Sequence, residues 1–403
     1  FHHRGVLHYV RMLGVPMEPF NQINYAAYLH STEAFGGKPQ RVRDIKADYE
    51  GHISELLAKT VQQGRLEQNV TKEDQEILLE SLRAFGALEQ DFTYRKSRPL
   101  ARRRGWAQPP GGGLDPAPVP SEPYSLADIL HSRLWRAMVQ ENTFEEQPVL
   151  FQPIGGMGMI GRAFGQLLGN VIRYNAKVTR IQQGADGVTV SYVDTVKGGA
   201  PQIAKADWCV CTIPASVLGQ IEADFSAPMQ DAINALYYGA ACKVGLQMKR
   251  RFWEQDEDIY GGITYTNMPN AVIGYPNTDY FSNGKGVLLG GYTFGPNAVE
   301  YTAMSPEERI RRTVEWGANI HPQYHQEFET GVAVAWHRVP WTLGCQGIWS
   351  AEARDEHYRN ICGIDGRIVL AGEHVSMLPA WQEGAVTSSL NAITRLHQRI
   401  LQG

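Results

Sequence analysis

Apolar residues recur at helical spacing over residues 5–13 (GVLHYVRML) and the run stops at Gly14, so the chain opens with a helix. Val15-Pro16 then begins an extended stretch that runs through Tyr25 to Leu29. From Val42 to about Arg95 the period lengthens into charged amphipathic helices, the second with a capped start at Thr71 followed by Glu73 and Asp74. Residues 99–123 carry PPGGG and then PAPVPSEP, a composition that predicts a loop without regular structure, and helices resume at Ser125. Beyond it, residues 149–153 read as a strand and a short helix reaches Leu168. AKVTRIQQ and GVTVSYVD then alternate as two strands joined by a turn at Asp186-Gly187.

The apolar run 208–213, closed by Pro214, predicts a buried strand. Further strands are predicted at CKVGLQMK and within residues 260–275, 286–292 and 332–336. A helix over 305–317 has Ser305 as cap and Pro306 at its first position. A strand over 367–371 runs into Gly372-Glu373, and residues 383–401 form a final helix. The mixture is α+β with at least one α/β layer.

The 403 residues exceed what one hydrophobic core usually organises, so two or three interlocked domains are expected. A net charge of -4 argues against a nucleic-acid partner, and the basic run Arg102-Arg103-Arg104, set among Pro and Gly, fits a solvated loop, with a nuclear or phosphate-binding role as the alternative. The five cysteines are odd in number and form no C-x-x-C, which argues against a thiolate zinc site and a disulfide framework and fits a reducing, cytoplasmic compartment. Cys209 and Cys211 share one strand face and read as core thiols. His321 and His325 have metal-like spacing, but Pro322 between them predicts a surface loop, so no metal site is expected. No stretch of about 18 apolar residues exists to span a membrane.

Gly156, Gly158 and Gly161 satisfy G-x-G-x-x-G between a strand and a helix. A dinucleotide loop wants an acidic residue about 20 positions on, yet the polar residues of 173–181 are Arg, Tyr, Asn, Lys and Thr, and Pro153 interrupts the strand. Two readings stand: a pyrophosphate loop, or a glycine-rich turn that lets a helix start close to another element. Lys243, in Gly239-Ala-Ala-Cys-Lys-Val-Gly-Leu, occupies an alternating apolar strand, where a buried ammonium is expensive without a purpose; the alternative is a lysine snorkelling from an edge.

FQPIGGMGMI (151–160), NAKVTRI (175–181), the strand around Cys209 and Cys211, and KRRFWE (249–254) resemble segments of the flavin amine oxidases. The run LAGEHVSMLPAWQEGAV (370–386) resembles the A-G-E-[HY]-x-S…W-x-[ED]-G-A signature of the bacterial L-amino-acid oxidases within that family. The resemblance implies FAD as cofactor and an amine-oxidase-like two-domain architecture with an α/β FAD-binding domain and a helical subdomain. The implied boundaries are 1–48 and 238–350 for the substrate-binding domain, 49–150 for the helical part with its Pro/Gly-rich loop, and 151–236 with 351–403 for the FAD-binding domain.

By the same resemblance Val178, Trp336, Gly372, Glu373, Trp381, Gln382 and Ala385 bind the cofactor. Lys243 is the catalytic lysine, while Tyr275 holds the substrate carboxylate and Ala380 and Trp381 line the substrate cage. His337, one residue beyond Trp336 in a predicted strand, points away and is structural. The implied reaction is oxidative deamination of an L-amino acid by hydride transfer to FAD and reoxidation by O2, in a homo-oligomer, a dimer or a dimer of dimers. A decarboxylating amino-acid 2-monooxygenase, a processed non-catalytic subunit and a cofactor-less binding protein are the alternatives. Phe1-His2-His3-Arg4 resembles the H-R that closes a substrate-binding Arg segment. The family's first dinucleotide strand and that Arg are therefore expected upstream of Phe1, in a part that was cleaved, is disordered or sits on another chain.

Overall fold

The computed structural model describes residues 3–66, 70–146 and 149–402; Phe1 and His2 of the opening run, Gln147, Pro148 and Gly403 lie outside the described residues. Local rules account for several helix starts. Thr71 caps the helix Lys72–Phe85 through a capping box with Asp74, Ser125 caps Leu126–Ser132, and Ser305 caps Pro306–Ala318 with proline in the first turn. Each cap satisfies an N–H group that the helix itself leaves without a partner.

The largest sheet has seven strands in the order Phe328–Ala335, Ala241–Met248, Gly286–Phe294, Val272–Gly274, Ile263–Thr266, Tyr28–His30, Gln40–Arg41. All its pairings are antiparallel except that of Ile263–Thr266 with Tyr28–His30. One face buries Leu246, Met248, Leu288 and Ile273 against Phe252, Trp253, Tyr301 and Tyr324. Val42, Ile45, Ile129, Leu134 and Met138 from the helical stretch join this same core, so burial there closes the sheet as well as the helices.

A four-stranded sheet, Glu222–Ala223, Ala176–Gly184, Gly187–Asp194, Gln202–Ala206, carries the hairpin anticipated from its alternation. It packs with a three-stranded sheet, Cys209–Cys211, Ile368–Leu370, Ile364–Asp365, through Ile181, Val188, Cys211, Ile368 and Leu370. Cys209–Cys211 is an edge strand, half-buried except at Cys211, rather than the fully buried strand its apolar run suggested; the buried one is Ile368–Leu370, which it flanks in parallel. Burial raises both thiols of that edge, Cys211 to about 11, which keeps them protonated as core groups.

Two expectations of irregular structure fail. Pro99 lies in the first turn of a helix, Arg98–Arg104, capped by Ser97; proline is tolerated there because its missing N–H would have no intrahelical partner. The loop that follows is pinned by a short ladder between Trp106–Gln108 and Val119–Pro120. Among the described residues no helix is long and apolar enough to cross a membrane.

The helical part is locked by a buried ion pair. Asp48 on the long helix Val42–Gln62 accepts from Arg104 Nε at 2.9 and 3.0 Å, from the Tyr94 hydroxyl at 2.7 Å and from Tyr124 N–H at 2.8 Å, with Asp48 fully buried and Arg104 5% exposed. Removing one partner strands the other charge in the core. Asp48→Ala is therefore expected to lower the unfolding free energy by roughly 3–5 kcal/mol in urea titration. A loss below about 1 kcal/mol would place the lock elsewhere.

Candidate active site

On the strand Ala241–Met248 the side chains of Cys242, Val244, Leu246 and Met248 enter the core, which sends Lys243 to the opposite face. Its register partner across the sheet is Tyr292, and its Nζ sits 4.2 Å from the centroid of the Tyr292 ring. The contact is a cation–π pair, worth about 0.5–2 kcal/mol when partly desolvated. Burial pulls the Lys243 pKa below the usual lysine range. The Tyr292 hydroxyl is hydrogen-bonded to the Cys345 thiol, and burial raises the pKa of both. Cys345 is itself anchored by its N–H to Gly239 O at 2.8 Å. The arrangement sets the Lys243 amine, its pKa lowered by burial, beside two groups whose pKa is raised.

The second half of the site is the turn after Ile368–Leu370. Gly372 has φ +141, and a Cβ there would stand 2.5 Å from His374 Cε1, so only glycine fits. Glu373 places one oxygen on Gly347 N–H and the other on Ala380 N–H, both at 2.9 Å. Ala380 holds φ +70, an uncommon conformation for a non-glycine residue, immediately before Trp381. Trp381 opens the helix Gln382–Leu401 without a side-chain cap, and its ring packs 4.9 Å from that of His3. Glu383, in the first turn of that helix, accepts from Gly5 N–H at 2.9 Å and Val6 N–H at 2.8 Å, so it caps the first helix of the chain, Arg4–Met12.

These two halves meet. Cys345 lies within electrostatic reach of both Lys243 and Glu373, two residues before the Gly347 amide that Glu373 binds. Lys243, Glu373 and Ala380 are thus linked through Tyr292, Cys345 and Gly347, and Trp381 follows Ala380 in the chain. Sequence reasoning passed over these last two, although Tyr292 sits in an alternating strand, G-V-L-L-G-G-Y-T-F, as Lys243 does. Trp336 follows Ala335, the register partner of Cys242, and is 36% exposed. Ala385 lies in the first turn of the last helix, half-buried. Val178 stands apart on the four-stranded sheet, packed on the cluster that contains Leu370 and Val375.

Tyr275 is not brought to this cluster. It is 3% exposed, with its hydroxyl 2.6 Å from His321 Nε2 and 2.8 Å from Thr264 Oγ1, inside the core of the large sheet. His321 in turn is fully buried and holds Glu257 at 2.9 Å, which corrects its assignment to a surface loop: Pro322 turns the chain, but the imidazole goes inward and both its nitrogens find partners. Among the described residues no group of His, Cys, Asp and Glu is placed to hold a metal. The predicted strand ends at Ala335, so His337 lies in a 3-10 turn, Trp336–Arg338, where it bonds Ala241 O and Thr302 Oγ1, both at 3.3 Å.

The glycine motif at 156–161 resolves as a turn. Its strand, Leu150–Pro153, pairs antiparallel with Met17–Phe20 and belongs to no parallel sheet. Gly156 needs its φ of +95, but Gly158 and Gly161 have open space where a Cβ would stand, so no close helix–strand packing demands glycine at Gly161.

The sequence model of the family described as flavin containing amine oxidoreductase matches residues 2–397. The chain belongs to that family. Among its curated relatives, an L-amino-acid oxidase of Siganus canaliculatus is 30% identical over 250 residues, 61% of this chain and 47% of that protein. A flavin-dependent L-tryptophan oxidase of Lentzea aerocolonigenes is 29% identical over 256 residues, 62% of this chain and 53% of that protein. The chain thus spans about half the length of these relatives. Wild-type putrescine oxidase bound to putrescine shares the fold, with a TM-score of 0.63 at 15% identity over 98% of this chain and 86% of that one.

In this chain, groups suited to a flavin are the uncapped N-terminus of Gln382–Leu401, which offers N–H groups to negative charge, and the backbone cradle at Gly372. His374, buried beside that cradle with Nε2 unpartnered, has its pKa pushed down to about 4 by burial. Because the unfolded histidine titrates near 6.5, its contribution to stability is complete above that pH and is lost as pH falls toward 4, by on the order of 3 kcal/mol. Urea unfolding between pH 6.5 and pH 4 should therefore show a shallower pH slope in His374→Phe than in the parent. Identical slopes would move the titrating group elsewhere.

Proposed function

We propose that the chain is the catalytic part of an FAD-dependent L-amino-acid oxidase, which converts an L-amino acid, water and O2 to a 2-oxo acid, ammonia and hydrogen peroxide. The observation that carries the reading is the Lys243–Tyr292–Cys345 group set against the Glu373–Ala380–Trp381 turn. The names of the curated relatives point to the same chemistry. FAD, when bound, supplies the hydride acceptor and passes the electrons to O2. The remaining work falls to the protein.

Gly372, Glu373 and the first turn of Gln382–Leu401 would hold the cofactor, with Ala385 in that turn and Val178 toward its adenine end. Trp336 and Trp381 supply apolar walls, and Ala380 shapes the cage through its left-handed backbone. Lys243, its pKa lowered by burial, holds or releases a proton at Nζ as charge changes beside it. Tyr292, whose ring carries Lys243 Nζ and whose hydroxyl meets the Cys345 thiol, would turn that hydroxyl to the substrate carboxylate, a role for which Tyr275, buried in the core of the large sheet against His321 and Thr264, is poorly placed. The proposed division is a substrate-binding domain from 1–48 and 238–350, a helical part from 49–150, and an FAD-binding domain from 151–236 and 351–403. The two main cores, one around the seven-stranded sheet and one around the parallel pair, support separating the first from the last of these, while Ile129, Leu134 and Met138 tie the helical part into the first core.

Product analysis tests the reading. The flavin-loaded protein should yield 2-oxo acid, ammonia and peroxide in equal amounts from at least one L-amino acid. Amide and carbon dioxide would instead establish the monooxygenase, and no turnover of any amino acid would remove the enzymatic reading. Lys243→Met should slow reoxidation of the reduced protein by O2 by roughly tenfold or more, about 1.4 kcal/mol, while anaerobic reduction changes much less. Stopped-flow of the two half-reactions measures this, and equal slowing of both would make Lys243 a binding residue only.

A further inference from the structure

The basic run Arg102-Arg103-Arg104 divides in the structure. Arg104 turns inward onto Asp48, whereas Arg102 and Arg103 stay exposed and meet Arg83 and Arg98 around an open cleft of about 400 Å³ completed by Ala84, Ala87 and Pro99. Arg103 reaches Glu50 at 3.2 Å and Phe85 O at 2.8 Å. Among the described residues no carboxylate pairs with Arg83, Arg98 or Arg102. The side chains of four arginines therefore line one hollow, with Arg103 committed to Glu50 and Phe85 O and the other three without a carboxylate partner among the described residues.

Helix geometry explains part of this arrangement and leaves the rest. Arg83 ends the helix Lys72–Phe85, and Arg102 and Arg103 end Arg98–Arg104, where the macrodipole favours cations. Arg98 is the first residue of its helix, at the positive end, and stands one turn before Arg102. Both the dipole and the like charge four positions on oppose it. Ala87, in the cleft wall, holds φ +52 at the position past the helix end that glycine normally takes. Such breaches of local preference persist where a site requires them.

We propose that this cleft binds a linear polyphosphate anion, either free or as the triphosphate of a nucleotide. Guanidinium forks match phosphate oxygens two at a time and keep their charge at any physiological pH. Ala84, Ala87 and Pro99, small and apolar, complete the walls of the cleft that Arg83, Arg98 and Arg102 line. The helices involved contribute nothing to the candidate active site, so occupancy here is separate from substrate binding.

Calorimetric titration of inorganic triphosphate, and of adenosine triphosphate, into the full chain tests this. One saturable site per chain is expected, weakened more than tenfold in Arg98→Ala/Arg102→Ala; both residues are exposed, so the variant should melt as the parent does. Equal affinity for the two anions assigns recognition to the phosphates alone, and tighter binding of the nucleotide adds a base contact to the same site. Absence of saturable binding by either anion, binding that survives the double substitution, or an equal response to sulfate at matched ionic strength would overturn the proposal.

Discussion

The carboxylate of Glu383 joins the two ends of the described chain. It is 4% exposed and lies in the first turn of the last helix, yet it spends both oxygens on the N–H groups of Gly5 and Val6. An anion at a helix N-terminus is favourable, by up to about 2 kcal/mol where it is partly buried. Here one carboxylate serves two helix starts, because Gln382–Leu401 and Arg4–Met12 approach each other head to head. The approach is close enough that a Cβ on Gly5 would meet Val386 at 2.7 Å.

Trp381 and the helix start that follows it are positioned by that contact, and the same logic recurs at Glu373. Its carboxylate is likewise divided between two backbone amides, Gly347 and Ala380, from segments on either side. Among the described residues neither glutamate forms an ion pair with a cationic side chain. Both negative charges are absorbed by backbone N–H groups, which leaves Lys243 as the cation of the cluster and burial as the main influence on it. The packing of the termini and the electrostatics of the site are in this sense one arrangement.

Elements whose signals are local could be read from the sequence: the Thr71, Ser125 and Ser305 caps, the hairpin around Asp186-Gly187, and the alternation that puts Lys243 opposite the core face. The turn at Gly372 and the helix start after Trp381 were legible because they are features of backbone geometry, which glycines and helix starts announce. What escaped depends on partners far along the chain. Tyr275 is held by His321, 46 residues away, and neither residue carries a sign of the other. Tyr292 gains meaning only from the register that sets it across from Lys243. Pro99 misled because proline both breaks helices and begins them, and the deciding cap, Ser97, is a single hydroxyl.

The central claim is that Lys243 and Tyr292 from one core and the Gly372–Trp381 turn from the other enclose one amino-acid site against a flavin. Anaerobic mixing of the flavin-loaded protein with single L-amino acids, followed through the visible flavin absorption band, reads this directly. Bleaching by an L-amino acid and not by its D-enantiomer is expected, and Tyr292→Phe should need a higher substrate concentration to reach it. A band that no L-amino acid bleaches, or bleaching that is the same for both enantiomers and unaffected by Tyr292→Phe, would contradict the account.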